Sequence, residues 1–172
     1  TEKLFTFNFK KFMPPTIVTK NIHDIEQFLD NTDEIITKPL YGNGGIGIHR
    51  FNKQNFNSDI LKQYLDLPIM IQKYITEIDQ GDRRLILING EYCGSVARIP
   101  KDGNIKANFH AGGIPSKTDL VFRDKEIIDV VGPKLRENNL FFVGIDIIGD
   151  YLTEINVTSP TGIKQINTLN NV

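Results

Sequence analysis

A two-residue turn between two apolar segments is the strongest constraint in this 172-residue sequence. Asn89-Gly90 separates residues 83–88 (RRLILI) from residues 92–99 (YCGSVARI). Asn-Gly favours the left-handed backbone angles of the tight turns that join antiparallel strands, and apolar or β-branched flanks are typical of strands. The sequence therefore predicts a hairpin of two antiparallel strands here.

Further strand candidates alternate with amphipathic helical segments. The strand candidates are residues 16–20, 34–40, 46–51, 69–75, 141–148 and 151–157. Asn21 is placed to cap a helix over residues 22–29, a second helix is expected near residues 58–65, and Thr118 can cap a third that runs to Leu135. Pro133 should kink or end that third helix. Strands outnumber what a parallel doubly wound sheet needs, so we expect an α+β fold.

The chain shows no fixed repeat and no long linker that would separate independent domains. We place a change of lobe near residue 76, with residues 1–76 forming an N-terminal lobe and residues 77–172 a C-terminal lobe. Residues 100–117 are polar and lack periodicity, a pattern typical of a functional lid in a compact domain.

Composition narrows the class of protein. The 20 Lys and Arg residues nearly balance 21 Asp and Glu residues, so net charge gives no general reason to expect a nucleic-acid or membrane partner. No apolar run approaches the ~20 residues that span a bilayer, and the start lacks a signal-peptide pattern. The single cysteine, Cys93, cannot form an internal disulfide and reads as a buried structural thiol. We therefore expect a cytoplasmic protein.

Three oxygen-bearing side chains interrupt the last two strand candidates. Glu154 and Asn156 share one face of their strand, and Asp146 can reach the same surface if the two strands pair through the turn at Gly149-Asp150. Such hard oxygen ligands suit Mg²⁺. A solvent-facing row on an amphipathic sheet is at least as compatible with this alternation.

Lys38 precedes a turn with glycines at 42, 44 and 45, which would let backbone N–H groups approach phosphate oxygens. The spacing matches neither common phosphate-binding fingerprint, so a mobile turn is the competing interpretation. The three histidines have no second ligand at a metal-binding spacing and are assigned no role.

Three arginines lie in or beside the predicted hairpin. Arg83, Arg84 and Arg98 could each hold a carboxylate or phosphate through paired hydrogen bonds, although surface arginine is the default interpretation. Asp82 is either their ion-pair partner or an acidic group of the site.

Several segments, in this order, resemble the ATP-grasp region of bacterial glutathione synthetases. They are KPLYGNGG, GDRRLILINGEYCGSVARIP, NFHAGG and FFVGIDIIGDYLTEINVTSPTGI. The similarity runs from residues 2–5 (EKLF) to residues 158–163 (TSPTGI). This resemblance implies an ATP-grasp fold with two α+β lobes whose mainly antiparallel sheets hold ATP. It also implies a ligase that joins the small molecules γ-glutamylcysteine and glycine through an acyl phosphate, with Mg²⁺ as cofactor and Mn²⁺ as a substitute.

The resemblance implies roles for individual residues. As metal ligands it implies Asp146, Glu154 and Asn156. As residues near the reacting groups it implies Arg84 and Arg98. As nucleotide contacts it implies Lys3, Lys38, Gly42, Asn43, Gly44, Gly45, Gln72, Lys73, Tyr74, Ile75 and Asp82. Residues 42–45 match the small loop over the phosphates, and residues 99–113 match the larger loop that closes over the intermediate.

Full-length family members have a substrate domain before this region and a further segment after it, and neither is recognised in this sequence. We therefore expect a truncated ATP-binding region that retains nucleotide binding better than ligation. A homo-oligomer in the full-length protein stays open. Two alternatives also stay open: another ATP-grasp ligase, such as one that adds glutamate to a protein tail, and a non-catalytic nucleotide-binding module.

Overall fold

The computed structural model describes residues 1–42, 44–101 and 107–171, which form two compact units. The first unit comprises Thr1 and Pro14–Thr76, and the second comprises Glu2–Met13 and the chain from Glu77 onward. The sequence pattern assigns residues 2–13 to the first lobe, whereas the structure places them in the second unit. The reason is burial, because Phe9 and Phe12 lie in the core of that unit.

The elements follow one another along the chain as short helices and strands. The helices are α1 (Glu2–Phe5), α2 (Ile22–Thr32), α3 (Ser58–Lys62), α4 (Phe122–Glu137) and α5 (Ile163–Asn170). The strands are β1 (Thr16–Thr19), β2 (Glu34–Pro39), β3 (His49–Asn52), β4 (Ile69–Lys73), β5 (Asp82–Ile88), β6 (Glu91–Ile99), β7 (Ile114–Ser116), β8 (Phe142–Ile148) and β9 (Tyr151–Asn156). Short 3-10 helices cover Thr6–Phe12, Thr76–Gln80 and Phe109–Ala111.

The first unit is a four-stranded antiparallel sheet in the order β1-β4-β2-β3, with α2 and α3 covering one face. The predicted cap of α2 is confirmed, since the Asn21 side chain accepts a hydrogen bond from the His23 backbone N–H at 3.0 Å. Helix α2 then presents Ile25 and Leu29 to the sheet. The buried core consists of Ile25, Leu29, Ile35, Phe51, Leu61, Ile69 and Ile71.

The second unit is a five-stranded antiparallel sheet in the order β7-β6-β5-β8-β9. The predicted Asn-Gly hairpin is confirmed: Asn89 has φ 50° and Gly90 φ 73°, the left-handed values that such a turn requires. One face of the sheet packs on α4 and on the 3-10 helix Thr6–Phe12. The other face carries a small cluster formed by Ile86, Val96 and Ile166. Apolar side chains therefore pack against both faces of the sheet, and on the second face they cover only part of it.

Several local predictions are wrong. Helix α4 begins after Val121 rather than after Thr118, because the Asp124 carboxylate accepts the Val121 N–H at 3.1 Å and so satisfies the end of the helix. The helix also continues through Pro133 to Glu137. Cys93 was predicted to be a buried thiol, but it is exposed on β6.

The segment predicted as structureless, residues 100–117, contains strand β7 and the 3-10 helix Phe109–Ala111. Strand β7 is short and pairs with the end of β6, so it has little local periodicity to reveal it. Helices α1 and α5 were not predicted either. No helix in the described ranges is long and apolar enough to cross a membrane.

Gly132 of α4 lies directly against the hairpin turn at Gly90. A β-carbon at Gly132 would collide with the Gly90 carbonyl oxygen, and one at Gly90 would collide with the Gly132 carbonyl oxygen. The two glycines therefore let helix and turn backbones come into contact. The Arg136 side chain donates to the Asn89 carbonyl at 3.2 Å beside this contact.

We predict that Gly132→Ala destabilises the protein although alanine has the higher helix propensity. Propensity alone would add about 1 kcal/mol of stability, whereas the steric conflict should cost about 1–3 kcal/mol. Urea unfolding of the variant checks this, with Asp129→Ala on the exposed side of α4 as the control for propensity. An unchanged or higher urea midpoint for Gly132→Ala would contradict the close helix–turn contact.

Candidate functional site

Four buried charged side chains form a row across three neighbouring strands of the second unit. Asp82 on β5 pairs in register with Arg98 on β6, and Arg84 on β5 pairs in register with Asp146 on β8. Residues at positions 82 and 84 share a face of β5 because side chains alternate along a strand. In the order in which they contact one another, Asp82, Arg98, Asp146 and Arg84, these side chains alternate between acid and base. They lie on the face of the sheet opposite α4.

Asp146 is the residue on which this row converges. Arg84 contacts it with two nitrogens: Nε donates to Oδ1, and Nη2 donates to Oδ2 at 2.8 Å. Arg98 Nη2 lies 2.9 Å from Oδ2, and the Asn156 amide Nδ2 donates to the same oxygen at 3.2 Å. The Asp146 side chain is 4% exposed. A buried carboxylate is thus compensated by two guanidinium groups and an amide.

Arg98 links the two acids. Its Nε donates to Asp82 Oδ1 at 2.7 Å, and its Nη2 contacts both Asp82 Oδ2 and Asp146 Oδ2. The guanidinium carbon also lies 5.8 Å from the centre of the Phe109 ring. Arg98 is therefore held in one orientation by partners on three elements.

The charges in this row oppose the effect of burial. Burial acts to raise the pKa of Asp146, but the adjacent charges of Arg84 and Arg98 hold that pKa below its ordinary value. Burial acts to lower the pKa of Arg98, and the carboxylates of Asp146 and Asp82 raise it above the ordinary arginine value. For Asp82, burial dominates and raises the pKa, with Arg98 opposing it. Asp146 is consequently the carboxylate most firmly kept ionised.

Arg84 also extends beyond the sheet. Its Nη1 donates to the Thr161 carbonyl oxygen at 3.0 Å, in the segment between β9 and α5. Gly144 makes room for this side chain, because a β-carbon there would lie 3.1 Å from Arg84 Cδ and 2.9 Å from Pro160 Cβ. The surface-arginine interpretation is therefore wrong for Arg84 and Arg98, and Asp82 is an ion-pair partner.

Arg83 points to the opposite face of β5 and makes a separate ion pair. Its Nη2 lies 2.8 Å from Asp124 Oδ1 and also donates to the Gly149 carbonyl oxygen at 2.8 Å. Asp124 is fully buried and accepts the N–H of Val121, the residue just before α4. This pair connects β5 to the start of α4 and to the β8–β9 turn, and it contributes no group to the row on the other face.

The predicted metal ligands lie on one surface of β8 and β9. Asp146 is in register with Glu154, and Asn156 is in register with Gly144. Glu154 and Asn156 are half-buried. The Thr153 hydroxyl donates to the Asp146 backbone carbonyl at 3.1 Å, which connects the two strands at a bulge. The surface therefore offers carboxylate and amide oxygens close together.

These donors fit a hard cation such as Mg²⁺. Asn156 uses its amide nitrogen toward Asp146, which leaves the amide oxygen as the atom a metal would take. Within the described part of the chain, no group of three His, Cys, Asp or Glu side chains is placed to hold a metal ion. A cation here would therefore need Asn156 and oxygens from a substrate or water in addition to the two carboxylates.

The predicted nucleotide residues of the first unit lie on β2, on and just after β4, and between β2 and β3. Lys38 is buried near the end of β2. Gly42, Gly44 and Gly45 have φ values of 103°, 66° and 78°, which favour glycine. Asn43 lies outside the described residues.

Residues 72–75 are tied into the first sheet largely through their backbone. The Lys73 N–H donates to the Pro15 carbonyl at 2.9 Å, and the Tyr74 N–H donates to the Glu34 carbonyl at 3.0 Å. The Gln72 amide donates to the Thr16 hydroxyl at 3.1 Å. Tyr74 and Ile75 are buried. Arg50 covers the Tyr74 ring, with its guanidinium carbon 3.8 Å from the ring centre.

Other predicted groups lie elsewhere in the second unit. Lys3 is on α1. Part of the larger loop, residues 102–106, falls outside the described residues. Beyond it, the Asn108 side chain accepts the Ala111 N–H at 2.9 Å, and the Gly113 N–H donates to the Asn108 carbonyl at 3.1 Å. The NFHAGG segment is thus a compact turn at the end of that loop.

Three contributors to the site were not predicted: the Glu2 carboxylate, the Thr161 carbonyl and the Phe109 ring. Glu2 accepts hydrogen bonds from residues more than 150 positions away. Thr161 contributes a backbone atom, and every residue type carries that atom. Only Phe109, an aromatic residue within a polar loop, carried a usable signal.

Comparison of the fold with solved structures identifies its architecture. D-cycloserine synthetase DcsG superposes with a TM-score of 0.73 at 14% identity, covering 96% of this chain and 63% of that one. D-alanine–D-alanine ligase from Bacillus anthracis complexed with ATP gives 0.67 at 11% identity, covering 99% of this chain and 59% of that one. At these identities the likeness shows the fold alone, and it confirms the predicted α+β ATP-grasp fold.

Sequence comparison identifies the family. The model of the prokaryotic glutathione synthetase ATP-grasp domain matches residues 2–171. The glutathione synthetase of Agrobacterium fabrum is 44% identical over 169 residues, which are 96% of this chain and 53% of that relative. That of Synechococcus elongatus is 45% identical over 175 residues, 99% of this chain and 54% of the relative. The chain thus spans about half the length of the curated relatives it matches. It belongs to the prokaryotic glutathione synthetase ATP-grasp family.

Proposed function

We propose that this protein acts in an ATP-dependent ligase that joins γ-glutamylcysteine and glycine to give glutathione, ADP and phosphate. The observation that carries the proposal is the buried Asp146 carboxylate, held by Arg84 and Arg98 beside Glu154 and Asn156. Such a row of fixed charges suits the transfer of a phosphoryl group, in a chain of the glutathione synthetase family.

Asp146, Glu154 and Asn156 are the proposed metal ligands. Magnesium, or manganese in its place, would supply positive charge to the nucleotide phosphates when bound. The contacts from Arg84 and Arg98 keep Asp146 ionised, so it keeps a negative charge at the surface where the cation is needed. The Asn156 hydrogen bond to Asp146 orients the amide, as groups around a metal ligand commonly do.

Arg84 and Arg98 are the proposed catalytic cations. In this mechanism the carboxylate of the dipeptide's cysteine attacks the γ-phosphorus of ATP and ADP leaves, which gives an acyl phosphate. The glycine amine then attacks the acyl carbon, and the amide bond forms as phosphate leaves and the amine loses a proton. Neither step needs a protein nucleophile. The guanidinium groups are already oriented by Asp146 and Asp82, so their charge can stabilise the transferring group with little reorganisation.

The remaining proposed site residues are nucleotide contacts. Lys3 and Lys38 are proposed phosphate contacts, with residues 42–45, including Asn43, forming the small phosphate loop. Gln72, Lys73, Tyr74 and Ile75 are proposed for the adenine base, and Asp82 is proposed as an acid near the nucleotide. The buried side chains of Tyr74 and Ile75 favour base contacts through backbone atoms.

Family identity separates this proposal from its rivals. The assignment to glutathione rests on relatives at 44–45% identity, whereas D-cycloserine synthetase DcsG and D-alanine–D-alanine ligase are 14% and 11% identical to this chain, which shows the fold alone. Analysis of the product made from γ-glutamylcysteine and glycine distinguishes glutathione synthesis from ligation to a protein tail. A cytoplasmic location without a nucleic-acid or membrane partner is also part of the proposal.

We predict that the chain binds ADP in a Mg²⁺-dependent manner and that Asp146→Asn removes most of the dependence. Removing the carboxylate charge should weaken the Mg²⁺-dependent part of binding by at least about tenfold. Isothermal titration calorimetry with and without Mg²⁺ measures this. Asp129→Asn, which removes an exposed charge from α4, is the matched control.

Asp146→Asn also leaves two buried guanidinium groups less compensated, so its folding must be checked by circular dichroism. Glu154→Gln provides a second variant at a half-buried position and should reduce the Mg²⁺ dependence in the same direction. ADP binding by both folded variants that still increases with Mg²⁺ as in the parent chain would contradict the proposed metal ligands.

Arg98→Lys tests whether the fork of the guanidinium matters beyond its charge. Lysine keeps the charge but cannot make the two parallel contacts to Asp82 while also reaching Asp146. We expect a loss of about 2–4 kcal/mol in unfolding free energy, because buried acids lose hydrogen-bond partners. Guanidinium chloride unfolding measures the change, with the exposed Arg136→Lys as control. Equal losses in the two variants would show that the row is not specially dependent on Arg98.

A further inference from the structure

Glu2 joins the start of the chain to the end of the strand that carries two proposed metal ligands. Its Oε2 accepts hydrogen bonds from the backbone N–H of Val157 at 2.9 Å and of Thr158 at 3.2 Å. These are the first two N–H groups after β9, immediately beyond Asn156. One carboxylate oxygen thus serves two backbone donors at the point where the ladder of strand hydrogen bonds ends.

The neighbour of Glu2 in sequence is Lys3, a proposed phosphate contact. The Lys3 carbonyl accepts a hydrogen bond from the buried Thr6 hydroxyl at 2.6 Å. Two residues later, Phe5 packs against the core of the second unit. The backbone at Lys3 is therefore fixed on one side by the Glu2 contact with the end of β9 and on the other by Thr6 and Phe5.

We propose that Glu2 is a positioning residue that holds the backbone of Lys3 in place relative to Asn156 and Glu154. This inference rests on the proposed function, because it assumes that Lys3 contacts nucleotide phosphates. Helix α1 is only four residues long and cannot fix its own orientation by helical hydrogen bonds. Charge-assisted bonds from a carboxylate to backbone N–H groups are among the stronger ones available to do so. Glu2 touches neither metal nor nucleotide in this assignment and acts only through Lys3.

A purely structural role is the competing explanation. A carboxylate in the first turn of a helix is favourable in any case, and its contact with residues 157 and 158 could serve only to attach the chain start to the sheet. The two explanations differ in what they predict for ligands. If Glu2 has only a structural role, its loss lowers the stability of the protein and affects the binding of every ligand alike. If Glu2 positions Lys3, its loss weakens the binding of only those ligands that carry phosphates.

The test measures ADP and adenosine binding to the 172-residue chain in Mg²⁺, well below the unfolding temperature of each variant. We expect Glu2→Ala to weaken ADP binding by about tenfold, as the loss of charge-assisted contacts would allow. Adenosine binding, which involves no phosphate, should stay unchanged. Glu2→Gln keeps an acceptor oxygen and should retain most of the ADP affinity. Glu137→Ala, which removes an exposed glutamate from α4, is the charge-matched control.

A double-mutant cycle with Lys3→Ala shows whether Glu2 acts through Lys3. The Glu2→Ala effect on ADP binding should nearly vanish in the Lys3→Ala background, because the group it positions is gone. If the chain with Glu2→Ala does not fold, Glu2→Asp carries the same test, since it keeps the charge but shortens the side chain. Additive effects of the two substitutions would overturn the proposal.

The remaining outcomes separate this proposal from the function on which it rests. Equal ADP affinity of the parent chain and folded Glu2→Ala, with only a lower melting temperature, would assign Glu2 a structural role and leave nucleotide binding intact. Equal weakening of ADP and adenosine would also overturn positioning through Lys3. A folded parent chain that binds no ADP would remove both the proposed function and this inference.

Discussion

The Asp146 carboxylate and the two guanidinium groups around it are the interaction on which the second unit depends. A buried ionised carboxylate is costly unless hydrogen bonds and opposite charges surround it. Arg84 and Arg98 supply both: Arg84 comes from the adjacent strand β5, and Arg98 comes from β6, the next strand beyond β5. The in-register pairing of β6, β5 and β8 is therefore a condition for the charge balance. A shift of one residue in either pairing would turn one of these groups to the opposite face.

Strand β5 connects this row to the rest of the unit because adjacent arginines serve opposite faces. Arg84 faces the row and reaches Thr161, whereas Arg83 faces α4 and pairs with the buried Asp124. Asp124 also starts α4, and Arg83 also binds the Gly149 carbonyl in the β8–β9 turn. The strand that carries Arg84 is thus also held on its opposite face, by a second ion pair.

Local sequence patterns predicted much of the fold because their causes are local. Asn89-Gly90 adopts the backbone angles that its residue types favour, and Asn21 caps the helix that follows it. Prediction failed mostly where residues from a different part of the chain determine where an element begins or where it packs. Helix α4 begins after Val121 because Asp124 accepts the N–H of that residue, and strand β7 exists because β6 offers it an edge. Residues 2–13 belong to the second unit because aromatic side chains there find their core in strands more than seventy positions away.

The sequence by itself determined the types of most elements, with α1, α5 and β7 as exceptions, the antiparallel hairpins and, by alternation, the common face of Glu154 and Asn156. Family resemblance added the candidate residues and their roles. Only the tertiary structure decided that Asp82 and Asp146 share Arg98, that Arg84 is buried rather than solvent-exposed, and that Glu2 meets the end of β9. The physical reason is that turn angles and side-chain alternation are set by neighbouring residues. Burial of a charge and the identity of its partner depend on which strands pair, so tertiary contacts decide them.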